Sequence, residues 1–357
     1  MIIKEYDFPY KWTLKDAIFT KDKGKVFSCF ACGGGSTMGY KLAGFDVIGH
    51  NDIDNKMVEV YKANHNPKYS FLESITTFAK RKDLPQELYE LDILDGSPPC
   101  SSFSMAGNRE KDWGKEKIFR EGQELQVLDT LFFDFIDLAK ELQPKVIIAE
   151  NVKGLLLGNA REYVRNIYKA FDNAGYYCQH FLLDASKMGV PQRRERVFFI
   201  SLRKDLSSKF LYQQDMFTIS PKIELKFNKK EIPFKEIDEY NIVKDEYSIC
   251  PSYMKCLEIC KEGYSFSSVH HKKMLHNAYR VNRNKPINTI VAHNDGTAYH
   301  YIHNRRLTKN EFCYGGTYPL DYNFQKIRPN YLIGMSVPPV MTAQIASQVY
   351  YQWLNKL

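Results

Sequence analysis

Up to about Arg203 the chain alternates between short apolar runs and segments of helical spacing. The runs "KVFSCFACG", "DVIGHNDID", "LDILDGSPPC", "PKVIIAENV" and "RRERVFFISL" read as strands, several of them stopped by glycine, acid or proline. Between them Met38, Leu42 and Phe45, then Met57, Val60 and Tyr61, recur as helix faces, and "LQVLDTLFFDFIDLAKEL" predicts a helix over 125–142. Strands joined through helices lie parallel and need cover on both faces, so the pattern predicts a doubly wound, mostly parallel, Rossmann-like α/β sheet. Ligands of such sheets bind outside the C-terminal strand ends. Here those ends carry Asp52, Cys100 and Glu150.

Beyond Arg203 the alternation fades into a polar, aromatic and basic stretch, and an apolar helix returns near the end with Ile345, Val349 and Trp353 on one face. We therefore expect a ligand-binding domain over 1–204, completed by 327–357, and a small irregular domain with its hinge over 205–326. A chain of 357 residues, 44% of them hydrophobic, can bury cores for both. No apolar run approaches the roughly 18 residues of a membrane span. "MIIKEYDFPYKWTLKD" lacks the apolar stretch of a signal peptide, so no membrane association and a cytoplasmic location are expected. Eight cysteines in that setting point to reduced thiols rather than a disulfide framework. The net charge of +8 suits a polyanionic partner and 24 tyrosines offer stacking surfaces, but neither feature singles out nucleic acid.

"VFSCFACGGGSTMGYKLAGF" places a glycine turn between a strand and a helix, the usual place for a nucleotide because small residues let backbone approach the ligand. Gly33, Gly35 and Gly39 miss the dinucleotide spacing, since Met38 stands where its third glycine belongs, and no Gly-Lys-Ser/Thr follows for a phosphate loop. Asp52 can accept hydrogen bonds from ribose hydroxyls. S-adenosylmethionine, an adenosine ligand without phosphates, meets these constraints; a structural turn flanked by acids is the plain alternative. Cys29 and Cys32 form one CxxC without a partner pair, and Cys250, Cys256 and Cys260 lack zinc-site spacing, so no metal is expected.

Cys100 follows a strand and a stiff Pro98-Pro99 pair, where a sharp turn can expose a nucleophilic sulfur; a buried inert thiol is the alternative. The polar stretch "SSFSMAGNREKDWGKEKIFREGQ" reads as a mobile lid. Glu150 follows four apolar residues and is either a sheet-edge charge or an acid that burial equips to hold a proton. Arg193, Arg194 and Arg196 precede a strand, with Arg194 and Arg196 on one face at period two, placed to clamp a phosphate or a base carbonyl or simply to be solvated.

Taken in this order, from Val26 to Pro339, these residues resemble the DNA (cytosine-5) methyltransferase family. "FACGGGSTMGYKLAGF" is similar to its cofactor motif, "GHNDID" to its second motif with Asp52 in place of the usual ribose-binding glutamate, and "GSPPCSSFS" to its Pro-Cys motif. "ENVKGL", "PQRRERVFFI", "KPINTI" and "IGMSVPPVM" resemble the segments that follow in that family. Three positions depart from it: Cys32 replaces the first glycine, Met335 replaces an asparagine, and Ser74 stands where an acid would hold the adenine amino group.

The resemblance implies a methyltransferase sheet with a smaller, irregular target-recognition domain, and methylation of cytosine C5 in double-stranded DNA by S-adenosyl-L-methionine. It assigns Cys100 to attack on C6, Glu150 to N3 and the exocyclic amine, and Arg196 to the O2 edge with Arg194 in support. The cofactor would meet Phe30, Ala31, Gly33, Gly34, Gly35, Asp52, Ile53, Ser74, Ile75, Pro98, Leu131, Ser336 and Val337. Pro99, Asn151, Val152 and Gln192 would support them. The region between Arg196 and Lys285 would read the target. The expected setting is a monomer, either paired with a restriction endonuclease that shares its target without binding it, or a solitary methylase. A tRNA-methylating enzyme of the same fold, a catalytically silent DNA-binding relative and an NAD-dependent dehydrogenase are the alternatives.

Overall fold

A computed structural model describes residues 6–99, 130–157, 160–213, 219–244, 248–293 and 297–357, with the backbone of 116–117 and 126–127. Its centre is a seven-stranded sheet of β1 (Lys25–Cys29), β2 (Asp46–Asp52), β3 (Tyr69–Leu72), β4 (Ile93–Gly96), β5 (Val146–Val152), β6 (Tyr176–Asp184) and β7 (Glu195–Arg203). The spatial order is β3-β2-β1-β4-β5-β7-β6, parallel except for β7, which runs antiparallel between β5 and β6. β4 at the centre and β1 beside it mark the point where the strand order reverses, the usual position of a ligand crevice.

Alternate residues feed the two sheet faces. Phe27, Leu94, Ile147, Val197 and Phe199 pack with Phe132, Phe135 and Ile136 of α4 (Leu131–Leu142) and Ile167 and Phe171 of α5 (Ala160–Asn173). Val26, Ile93, Val146, Ile148, Phe198 and Ile200 face the other way, onto α1 (Gly35–Leu42) and the C-terminal helix over Pro339–Gln352. Burial on both sides explains why these strands read as mostly apolar runs. Ile345, Val349 and Trp353 are all buried in the second layer, as their spacing predicts, and the Trp353 ring N–H donates to the Lys222 carbonyl at 2.9 Å.

Two expectations change. Helix α4 begins at Leu131 rather than Leu125, because Gln126–Val127 pairs antiparallel with Glu116–Lys117. Strands β3 and β6, absent from the sequence reading, lie at the two sheet edges, β6 with Gln179 and His180 in its centre, and their mixed exposure blurs the apolar signal.

A third cluster joins Cys32, Met38, Met57 and Val60 of the first half to Phe234, Ile287, Tyr318, Tyr322 and Leu332. A fourth, with Cys256, Leu257, Cys260, Phe266, Ala278 and Tyr299, is confined to the region after the sheet. There the buried Arg305 makes two bonds to Glu311, of 2.8 and 2.9 Å, and Glu311 also caps the helix over Lys309–Gly316. His300 and Asp238 lie beside this pair within metal-ligand range. Their atoms are already engaged: His300 Nδ1 accepts the Ile302 and His303 N–H groups, and Nε2 pairs with Asp238 at 2.9 Å. Burial lowers the His300 pKa to about 4, consistent with a neutral ring in a structural network.

The crossing of α1 with the C-terminal helix tests this architecture. A Cβ at Gly39 would stand 2.4 Å from the Pro339 carbonyl oxygen and 2.5 Å from Thr342 Cβ. Gly39→Ala is expected to destabilise the protein by about 1–3 kcal/mol, seen as a lower urea midpoint with an unchanged slope.

Candidate active site

The glycine turn follows directly from β1. Phe30 and Cys32 adopt left-handed backbone with φ of 52° and 51°, and Gly34 follows at 85°. Two interactions hold this turn. Asp52 Oδ2, at the end of β2, accepts the Cys32 N–H at 2.7 Å, while Oδ1 accepts the Asp54 N–H at 2.9 Å. From the opposite side the Tyr322 hydroxyl donates to the Gly33 carbonyl, and a Cβ on Gly34 would fall 2.3 Å from the His65 ring. The Cys32 thiol packs 3.6 Å from the Met57 sulfur. Burial beside Asp95 and Asp52 pushes the Cys29 thiol pKa well up, so this CxxC has the character of packing rather than of a reactive pair.

The expected cofactor positions converge at the C-terminal ends of β1 to β4. Phe30 and Ala31 leave β1, Asp52 and Ile53 end β2, Ser74 and Ile75 follow β3, and Pro98 follows β4. Phe30 leans on Phe135 with ring centroids 6.3 Å apart, and buried Leu131 opens the same helix. Ser74 caps the short helix Ile75–Phe78 through a 3.2 Å bond from the Thr77 N–H. Ser336 and Val337 close the crevice from the C-terminal side, where a Cβ on Gly35 would meet the Val337 oxygen at 2.6 Å. The Ser336 hydroxyl donates to Leu332 O at 2.9 Å. An apolar ring, a strand-end carboxylate and a glycine turn form a donor set that fits an adenosine ligand without phosphates.

β5 and β7 supply the second half of the site. Their antiparallel register sets Glu150 opposite Phe198 and Val152 opposite Arg196, so Glu150 and Arg196 are diagonal neighbours on one face. They form a largely buried ion pair, Arg196 Nε to Glu150 Oε1, of 2.9 Å. Burial lowers the Arg196 pKa, and Glu150 opposes that effect. Asn151 donates from Nδ2 to the Pro98 carbonyl at 3.2 Å, tying β5 to the segment that leads into Cys100. Cys100 itself and the expected lid after it lie outside the described residues, apart from the backbone of 116–117.

Arg194 takes a different place from Arg196. It is buried and donates to the carbonyls of Ile290, at 3.3 Å, and Gly334, at 3.1 Å, joining the strand entry to two C-terminal segments. Burial, with repulsion from Arg196, lowers its pKa well below the ordinary value. Gln192 acts alongside it, donating to Gly315 O at 3.1 Å and accepting the Ile290 N–H at 3.0 Å. Arg193 is exposed toward Glu231 at 3.5 Å. The sequence reading overlooked Asp95, an acid inside the apolar run "LDILDG" that is buried behind the glycine turn.

A family model for the C-5 cytosine-specific DNA methylases matches residues 24–351. The chain belongs to this family. Family members use S-adenosyl-L-methionine as methyl donor. The Type II methyltransferase M.NgoPII of Neisseria gonorrhoeae is 38% identical over 189 residues, which cover 53% of this chain and 50% of that protein. M.FnuDI of Fusobacterium nucleatum is also 38% identical, over 51% of this chain and 48% of the relative, so the chain spans about half the length of these two. M.NgoFVII of N. gonorrhoeae is 27% identical over 92% of this chain and 87% of its own. Among solved structures, DNMT2 of Spodoptera frugiperda shares the fold with a TM-score of 0.59 at 20% identity, over 91% of this chain and 99% of that one.

The left-handed Cys32 separates strain from packing. Cys32→Ala and Cys32→Gly both lose the thiol contact, but only glycine relieves the backbone. The glycine variant should be more stable than the alanine variant by about 1 kcal/mol in chemical denaturation.

Proposed function

We propose that the protein transfers a methyl group to C5 of a cytosine flipped out of a short double-stranded DNA target, through a covalent bond between Cys100 and C6. The observation that carries this reading is the buried Glu150–Arg196 pair beside the Asn151–Pro98 tie. An acid and a cation on one face, next to the strand that leads to a Pro-Cys pair, suit a ring that must be gripped and polarised while a thiolate attacks it.

Cytosine C5 is a poor nucleophile until C6 is saturated. The Cys100 thiolate adds to C6, Glu150 takes up a proton from solvent as the base enters and passes it to N3 while accepting from the exocyclic amine, and Arg196 holds the O2 edge. S-adenosyl-L-methionine, when bound, supplies the electrophilic methyl group. A base then takes the C5 proton, the C6–S bond breaks to release Cys100 as the thiolate, and N3 returns its proton to Glu150. Extruding the base from the duplex costs a few kcal/mol, which backbone contacts must offset. Exposed Lys255, Lys261, Lys272 and Lys273, on and around the fourth cluster, support duplex binding by the region 205–326, with 1–204 and 327–357 as the catalytic domain. The names of the Type II relatives support a role in a restriction–modification pair whose endonuclease shares the target.

Purified protein with tritiated cofactor should label cytosine-containing DNA well above tRNA; no labelling of any such DNA would overturn the reading, and preferential labelling of tRNA would move the substrate to RNA. Cys100→Ala should abolish transfer and covalent capture of 5-fluorocytosine DNA. Glu150→Gln should lower kcat by roughly 10²–10⁴-fold.

A further inference from the structure

Asp95 is a buried carboxylate that the mechanism above does not use. It lies on β4 opposite Ser28 of β1 and Ile148 of β5, one residue before Gly96 and the turn into Pro98. Three hydroxyls donate to it: Ser28 Oγ at 2.6 Å and Ser36 Oγ at 2.7 Å to Oδ2, and the Tyr40 hydroxyl at 3.0 Å to Oδ1. Ser36 and Tyr40 belong to the first two turns of α1, and Ser36 directly follows the Gly33–Gly35 turn. Among the described residues no cation bonds to Asp95. The groups that act on it electrostatically are uncharged Cys29, Tyr40 and Tyr61, and the acidic Glu150, which disfavours its charge. A buried anion held only by hydroxyls is a costly way to join two elements, since an apolar pair would pack there without desolvating a charge.

We propose that Asp95 is a positioning residue for the cofactor: its carboxylate clamps the first turns of α1 to β4, fixing the glycine turn in its binding geometry and in register with the strand that leads to Cys100. This inference rests on the methyltransferase reading. It separates two properties that a purely structural residue would lose together. Burial raises the Asp95 pKa to about 6. A folded-state value above the unfolded one means that the ionised group destabilises the fold as pH rises from the ordinary carboxylate range through 6. Asp95→Asn removes the charge and keeps an acceptor of nearly the same shape. It should melt at the same or a higher temperature than wild type at pH 8, with any advantage shrinking as pH falls below 6.

Calorimetric titration with S-adenosylhomocysteine tests the clamp without relying on turnover. Asp95→Asn should bind about 10-fold more weakly than wild type despite its undiminished melting temperature. Ser36→Ala, which removes one donor and leaves the carboxylate, should show a smaller loss in the same direction. Moving the carboxylate one strand over, with Ser28→Asp and Asp95→Ser combined, should recover part of the affinity. Unchanged affinity in Asp95→Asn, or an affinity loss in both variants that follows a matching fall in melting temperature, overturns the positioning role. Failure of the wild-type protein to bind S-adenosylhomocysteine overturns the methyltransferase reading and this inference with it.

Discussion

At Gly35 and Gly39 of α1 no Cβ fits against the segment that returns to the sheet after Met335. A Cβ on Gly35 would lie 2.6 Å from the Val337 oxygen, and one on Gly39 would lie 2.4 Å from the Pro339 oxygen. Backbone from residues some 300 positions later therefore forms one wall of the turn that residues 33–35 make. The C-terminal helix is buried along Pro339–Val349, and each of its larger apolar side chains contributes about 1.5–3 kcal/mol by leaving water. Much of that burial is directed onto α1, so the forces that close the fold also shape the crevice. A cofactor crevice assembled from both chain ends forms only when the whole domain has folded.

That dependence explains what could be read from the sequence. Strands β1, β2, β4, β5 and β7 were legible because burial on both faces leaves a mostly apolar run. The residues at their ends were legible because few polar types follow such runs without a reason. The edge strands β3 and β6 were not, since an edge strand is apolar on only part of its length. The reversed direction of β7 left a trace that went unused: the connection from Asp184 to Glu195 is too short for the helical crossover a parallel pair would need. Asp95 was missed for the opposite reason. Inside an apolar run one acid looks like an interruption, and only the approach of α1 brings Ser36 and Tyr40 to it.

The arginines show where spacing stops being informative. Arg194 and Arg196 share a face at period two, and from the sequence they are equivalent. Register separates them. Arg196 lies within the β5–β7 ladder, diagonal to Glu150, and finds a carboxylate. Arg194 lies just before the ladder, where Pro191 to Arg194 run alongside Ile287 to Ile290, and the groups within reach are carbonyl oxygens. A guanidinium bonded to carbonyls joins segments, whereas one bonded to a carboxylate can share that acid with a ligand. The clamp suggested by the sequence thus divides into one arginine at the site and one that holds the site's frame.

Asp52 belongs both to the strand end and to the turn. At the end of β2 it was expected to meet a ribose, and its carboxylate already accepts the N–H groups of Cys32 and Asp54. The first of these bonds joins the end of β2 to the glycine turn. It also explains how Cys32 tolerates left-handed backbone that glycine would adopt freely. One charge-assisted hydrogen bond contributes about 1.5–3 kcal/mol, enough to offset the roughly 1–2 kcal/mol that left-handed geometry costs an L-residue. A cysteine can therefore occupy a glycine position because the acid at the end of the neighbouring strand holds the turn in place. The same bond couples the two, so a ligand that shifts Asp52 also acts on the strained residue at Cys32.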